Sequence, residues 1–175
     1  MTVGGVRQLD LEAVPALGEL AAAVTWNPAL DAWRWMLDVG AAYGVDDGER
    51  LAGATLVFAY GQTLAMLAMM MVRPERQRGG VGKVLLERAL AAVPDDAVMA
   101  LYATPAGERL YRPNGFVDAG SSVRFEGTPR VARVADATRE VRPADLEVIG
   151  DLDARAQGAP RARLIRWIAS RARGV

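Results

Sequence analysis

The chain contains no cysteine and no histidine. The first absence excludes disulfides, thiolate nucleophiles and cysteine-based metal sites. The second excludes histidine acid/base chemistry, Ser-His-Asp triads and most zinc sites. Any catalyst built here must use carboxylates, tyrosine, hydroxyls, lysine or arginine, backbone amides or a bound cofactor, and no metal is expected. Neither sign of charge predominates: 21 basic and 21 acidic residues give a formal net charge of zero. No bulk attraction to nucleic acid or to an anionic membrane is therefore expected. Long apolar runs are missing too. The longest, residues 64–72, is far short of a membrane span, and the opening MTVGGVRQLDLEAV lacks a basic segment leading into an apolar one. The expectation is a cytoplasmic protein without nucleic-acid or membrane partners.

What is present suits one ordinary domain with an extension. The 175 residues are 51% hydrophobic and 24% charged, a globular composition long enough to bury a core. Residues 3–8 read as a first strand. Asp10 suits an N-cap for a helix whose Leu11, Val14, Leu17, Leu20 and Ala21 recur at helical spacing. Trp26-Asn27-Pro28 breaks that helix, and Asp31 is the expected cap of a second. Three strand-like runs follow, over 41–45, 51–60 and 63–72, joined by turns at Asp46-Asp47-Gly48 and Gly61-Gln62. The last run is apolar nearly throughout and reads as a central strand buried on both faces. Its methionines, Met66, Met69, Met70 and Met71, read as core filling. Arg73-Pro74 ends it, and Gln77-Arg78-Gly79-Gly80-Val81-Gly82 opens a helix to about residue 92. A strand over 97–103, a short helix from Pro105 to Tyr111 and a strand over 116–127 complete the first unit.

Strand, glycine turn, helix is the geometry of an anion site, because free amides at the helix start and the positive end of the dipole favour phosphate oxygens. Two phosphate-binding patterns fail on single residues. A Walker A loop needs Gly where Gln77 stands and Ser or Thr where Val84 stands; a dinucleotide fingerprint needs Gly at Leu85. The turn Gln77-Arg78-Gly79-Gly80-Val81-Gly82 matches in full the coenzyme A motif Gln/Arg-x-x-Gly-x-Gly/Ala of the GNAT acyltransferases. Leu110-Tyr111-Arg112-Pro113-Asn114-Gly115-Phe116 resembles that family's Leu-Tyr-x-x-x-Gly-Phe segment. The resemblance covers roughly residues 3–127.

It implies an α/β (α+β) GNAT fold, a mixed and mostly antiparallel sheet splayed between its fourth and fifth strands and flanked by helices. It implies acetyl-CoA as the donor and an amine of a small molecule or peptide as the acceptor, with N-acetyl transfer by direct attack. By the same resemblance, Met70, Met71 and Val72 face the pantetheine arm, and Gln77, Arg78, Gly79, Gly80, Val81, Gly82 and Lys83 hold the pyrophosphate. Tyr111 protonates the departing thiolate, and read from burial alone the same tyrosine is a packing residue. Two positions depart from the family: Thr104 stands where an Asn often touches the pantetheine, and Met99 where many members carry a Glu base. Asp31 or Asp38, or water, is left for deprotonation, and an amine of low pKa needs little help. The missing base also keeps open a non-catalytic acyl-CoA-binding or interaction domain.

Residues 1–130 are expected to form the catalytic unit and 131–175 an extension. Val141-Arg142-Pro143-Ala144-Asp145-Leu146-Glu147-Val148-Ile149 echoes Val6-Arg7-Gln8-Leu9-Asp10-Leu11-Glu12-Ala13-Val14, so the extension resembles the start of a second GNAT repeat, as in a truncated tandem protein. A strand over 134–141 is expected to complete the first sheet, in cis or by exchange within a homodimer. The last helix carries Arg161, Arg163, Arg166, Arg171 and Arg173 without balancing acids. Its apolar side (Leu164, Ile165, Trp167, Ile168) needs a partner surface.

Overall fold

The computed structural model describes residues 4–26, 28–123, 125, 127–128 and 139–171. Five strands form one sheet in sequence order: β1 (Val6–Leu9), β2 (Ala41–Asp47), β3 (Arg50–Tyr60), β4 (Leu64–Val72) and β5 (Val98–Ala100). Neighbours are antiparallel except β4 and β5, which run parallel. This is the mixed sheet expected from the sequence.

Local chemistry explains the elements. The Asp10 carboxylate accepts from the Glu12 amide at 2.9 Å and caps a short 3-10 turn leading into α1 (Val14–Ala23). Helix α2 (Leu30–Val39) follows a non-polar cap, Ala29; Asp31 lies inside its first turn rather than capping it. Gly48 and Glu49 make the two-residue turn between β2 and β3, with Gly48 at φ +64 as such turns require. Helix α3 (Val81–Leu90) crosses over from β4 to β5, and α4 (Pro105–Tyr111) is capped by the Thr104 hydroxyl. Helices α5 (Leu146–Gln157) and α6 (Ala162–Arg171) make up the described tail.

Both faces of the sheet are covered. On one side Leu17, Leu20, Trp33 and Met36 of α1 and α2 meet Ala54, Leu56 and Phe58; on the other Val81, Leu85, Leu86 and Ala89 of α3 meet Ala52, Val57 and Leu67. Strand β3 is therefore buried from Leu51 to Phe58. Strand β4, expected to be the doubly buried one, keeps Met66, Ala68, Met69, Met70 and Val72 partly open, because β5 accompanies it for only three residues. A buried arginine locks its end: Arg73 donates through Nε to the Leu51 carbonyl at 2.8 Å and through Nη2 to Glu19 at 2.6 Å, tying α1 to the sheet.

Two expectations differ from what is seen. Residues 116–123 form no strand, and Val117 and Val123 stand exposed with no sheet edge against them. Residues 131–138 of the expected strand 134–141 lie outside the described residues, and 139–141 have no regular structure. The tail docks in cis through helices. Its arginines do find acids: Arg161 pairs with Asp153, Arg163 with Asp38 and Arg171 with Asp31.

Gly53 sets how closely α3 presses on the sheet, since a Cβ there would lie 2.8 Å from the Met71 carbonyl oxygen and 2.8 Å from Val81 Cγ1. Gly53→Ala is expected to lower stability by about 1–3 kcal/mol, read as an earlier midpoint in urea with an unchanged slope.

Candidate active site

Strands β4 and β5 pair only at Leu64–Val98, Ala65–Met99 and Met66–Ala100. Beyond Met66 they part. Within the parting β4 carries a bulge: Leu56 faces Ala68 and Ala54 faces Met71, so Met69 and Met70 together oppose Thr55. Met69 sits at φ +50, a left-handed conformation that a side-chain-bearing residue adopts only when its surroundings enforce it. The Thr55 hydroxyl donates to the Ala68 carbonyl at 3.2 Å from the neighbouring strand, which helps hold the bulge.

The Arg73 amide donates to Ala52 at 2.9 Å. In an antiparallel pair alternate residues face the partner strand, so the N–H and C=O of Val72 point the other way, toward the parting. There the Val72 carbonyl accepts from Gln77 Nε2 at 3.2 Å. A small cleft of about 60 Å³ occupies the parting, lined by Leu67, Met69, Met70, Thr104, Tyr111 and Trp26 among others.

At the end of β4 the chain turns through Arg78 (φ +60) and Gly80 (φ +89) into α3. A left-handed residue is the cap, and no side chain closes the helix start. Among the described residues no protein acceptor meets the amides of Arg78, Gly79, Gly80, Val81 and Gly82. These orphan donors, backed by the helix dipole, make an anion cradle. A groove of about 440 Å³ runs beside it, lined by Gln77, Arg78, Gly79, Val81, Arg76 and Asp47 among others. Arg76 grips Asp47 through both its Nε and Nη2, which neutralises that carboxylate beside the cradle.

Tyr111 closes the other wall of the cleft. Gly107 lets the ring lie back across α4, since a Cβ there would stand 3.0 Å from Tyr111 Cε2. After α4 the chain reverses at Gly115 (φ +88), and Phe116 meets Tyr111 edge-on with ring centroids 5.7 Å apart. Asn114 fastens the reversal by donating to the Leu110 carbonyl at 2.7 Å. The Tyr111 hydroxyl has no hydrogen-bond partner among the described residues, and burial raises its pKa above the ordinary value near 10.0.

The structure thus brings Met70, Thr104 and Tyr111 to one cleft, and Gln77, Arg78, Gly79 and Val81 to a separate groove lined also by Val45, Asp46 and Ala52 of β2 and β3. Met71 is buried against β3, and Lys83 points outward, 3.8 Å from Glu87. The Thr104 hydroxyl is engaged as an acceptor for the Gly107 amide at 3.3 Å. Asp31 and Asp38 line neither hollow, and both are held by arginines of α6. No carboxylate lines the cleft among the described residues, and no three acidic side chains gather as a metal site. Tyr102 and the Arg76–Asp47 pair are lining groups that no motif announced. No helix among the described residues is long and apolar enough to cross a membrane.

Residues 39–118 match the family model described as an acetyltransferase (GNAT) domain. Over that stretch the chain is similar to GNAT acetyltransferase domains. Solved structures agree on the fold. An acetyltransferase-assigned protein from Pyrococcus horikoshii superposes with a TM-score of 0.73 at 20% identity, covering 96% of this chain and 62% of that one. The ribosomal-protein-S18-alanine N-acetyltransferase of Escherichia coli gives 0.58 at 19% identity, over 66% of this chain and 79% of that one. A Clostridium acetobutylicum protein assigned as an acetyltransferase and solved with acetyl-CoA gives 0.58 at 12% identity, over 70% and 95%. No protein of curated function matches the chain.

The burial of Tyr111 has a direct consequence in alkaline solution. Its phenol keeps its proton to higher pH in the folded chain than in the unfolded one. The stability this represents is complete below pH 10.0 and is lost as pH rises toward the folded value. In an ultraviolet titration, Tyr111→Phe is expected to remove a tyrosine from the late-ionising end of the curve, not from the part near 10.0.

Proposed function

We propose that the chain is an N-acetyltransferase that moves an acetyl group from acetyl-CoA to an amine, with residues 1–130 as the catalytic unit and 131–175 as an extension. The observation that carries this reading is the run of unpaired amides from Arg78 to Gly82 at the mouth of the parting between β4 and β5. The residues fit the donor. The amides of Arg78, Gly79, Gly80, Val81 and Gly82 would hold the pyrophosphate, with Gln77 and Lys83 at its flanks. Backbone groups of Met70, Met71 and Val72 would hold the pantetheine arm, with Thr104 opposite.

Bound there, the donor supplies a thioester carbonyl. The amine nitrogen forms a bond to that carbon while the carbon–sulfur bond breaks, and the amine's proton passes to water. Tyr111 gives its proton to the leaving sulfur. Its raised pKa keeps that proton in place at neutral pH. The bulge supplies backbone N–H groups toward the parting where charge develops on the carbonyl oxygen. With no carboxylate along the cleft, the acceptor is best matched by an amine that is already neutral at the working pH. The Escherichia coli structure named above is an alanine N-acetyltransferase, and an α-amine has a lower pKa than a lysine side chain. The same lack of a carboxylate supports a second reading, an acyl-CoA-binding module without turnover.

Two experiments test these readings, and the second separates them. Gly82 has φ outside the left-handed region, and a Cβ there meets only ordinary contacts at 3.4 Å or more. Gly82→Ala should fold and bind CoA in calorimetry, whereas Gly82→Asp should fold and lose binding through negative charge at the cradle. Equal affinity in both would refute the assignment. Tyr111→Phe should lower kcat for acetyl transfer to α-amines by roughly 10²–10⁴-fold with little change in CoA affinity. Binding without turnover across small amines and peptides would decide for the module.

A further inference from the structure

The tail helix α6 lies antiparallel along α2. Arg163 Nη2 donates to the Asp38 carbonyl at 2.7 Å and to its carboxylate at 3.1 Å. One turn further, Trp167 stacks on Trp35 with ring centroids 4.4 Å apart and planes 29° from parallel. Another turn on, Arg171 donates to Asp31 at 2.7 Å. Residues 163, 167 and 171 step along one face of α6 and meet 38, 35 and 31 in reverse order.

Trp35 is the inward side of this contact. Its other neighbour is Phe58 of β3, with centroids 5.8 Å apart and planes 18° from parallel. Phe58 faces Met66 across the β3–β4 ladder. Trp35, Met66, Ala68 and Met69 all pack against the same core cluster. Yet the indole N–H of Trp35 is buried with no hydrogen-bond partner among the described residues. No polar contact fixes that ring, so ring stacking from Trp167 and Phe58 sets where it sits. The bulge of β4 holds Met69 at a left-handed φ, a conformation kept only by surrounding packing, and Met69 shares its core cluster with Trp35. Trp26, shortly before α2 in the chain, lines the same cleft as Met69.

We infer that Trp167 of the extension is a positioning residue for the bulged wall of the cleft, acting through the Trp35–Phe58 stack. The inference rests on the cleft being the place of acetyl transfer. It assigns the extension a part in the reaction without giving it any group that touches substrate. The tail keeps a second attachment, where Arg161 pairs with Asp153 and lies 5.8 Å from the Tyr60 ring, and Pro160 adjoins Gly61. Removal of the Trp167 ring is therefore a local change.

The test uses the full chain with Trp167→Ala and Trp167→Phe, reading amide hydrogen exchange and acetyl transfer. In Trp167→Ala, exchange over residues 30–39 and over 66–70 should quicken roughly 3- to 10-fold, the scale of one lost ring pair. Over 81–90 it should not change. The kcat for an α-amine should fall by about the same factor, CoA affinity should hold, and Trp167→Phe should restore both readouts. Faster exchange in 30–39 alone, with 66–70 and kcat unmoved, would reduce Trp167 to an anchor for the tail and overturn the inference. Should Trp167→Ala not fold, Trp167→Leu, which keeps bulk without a flat ring, decides on the same terms. A chain that turns over no amine would sink the proposed reaction, while exchange over 66–70 would still decide the positioning.

Discussion

Strands β4 and β5 run parallel, and the rest of the molecule is arranged around that fact. Every other neighbouring pair is antiparallel; β2–β3 and β3–β4 are joined by short turns. A parallel pair cannot be joined that way. The chain must leave the end of β4, cross a face of the sheet and return to the start of β5. Helix α3 is that crossover, so its N-terminus necessarily lies at the C-terminal end of β4. The unpaired amides of the glycine turn and the opening between the strands are thereby set side by side by topology, before any side chain is chosen.

The same arrangement concentrates tight packing where β3 and β4 back the cleft. Gly53 admits the first turns of α3 against β3, and Arg73, buried by the sheet, connects the end of β4 to both Leu51 and Glu19. Glu19 is half exposed, so most of the value of this ion pair lies in the buried guanidinium rather than in Coulomb attraction at the surface. An unpaired Arg73 would leave buried donors without acceptors, which costs more than a surface pair contributes. The bulge at Met69 thus sits between two firmly held points, Thr55 behind it and Arg73 beyond it.

Much of this was legible in the sequence, for identifiable reasons. Glycines at 79, 80 and 82 announce a backbone that must turn sharply and approach something closely, and the structure puts Gly80 at φ +89. Helical spacing gave α1 and α3, and the Leu110–Phe116 segment gave the reversal that seats Tyr111. What stayed hidden depends on tertiary context. The apolar run of β4 reads as doubly buried because periodicity cannot report that its neighbour leaves after three residues. The run after Gly115 reads as a strand, but residues 116–123 form none, with no sheet edge against them. Asp31 looked like a cap, yet its partner is Arg171, 140 positions away.

The tail shows how a repeat in sequence can be a repeat in structure without being a second site. Both copies of the echoed segment lead through a 3-10 turn into a helix and then into another: Leu11–Ala13, α1 and α2 in one, Pro143–Asp145, α5 and α6 in the other. In the first copy Ala13, Val14 and Leu17 are buried under the sheet; in the second the matching Val148 and Leu152 are 61% and 54% exposed. The second copy has the helices but, among the described residues, no sheet beneath them. A short helix pair of this kind is marginal by itself. Its order has to be borrowed from the first unit, and α2 is where it borrows, through Arg163, Trp167 and Arg171. Stabilisation of that kind is reciprocal: the surface that orders α6 is itself ordered by it. Because α2 backs the bulged strand through Trp35 and Phe58, whatever loosens the tail also loosens the wall of the cleft.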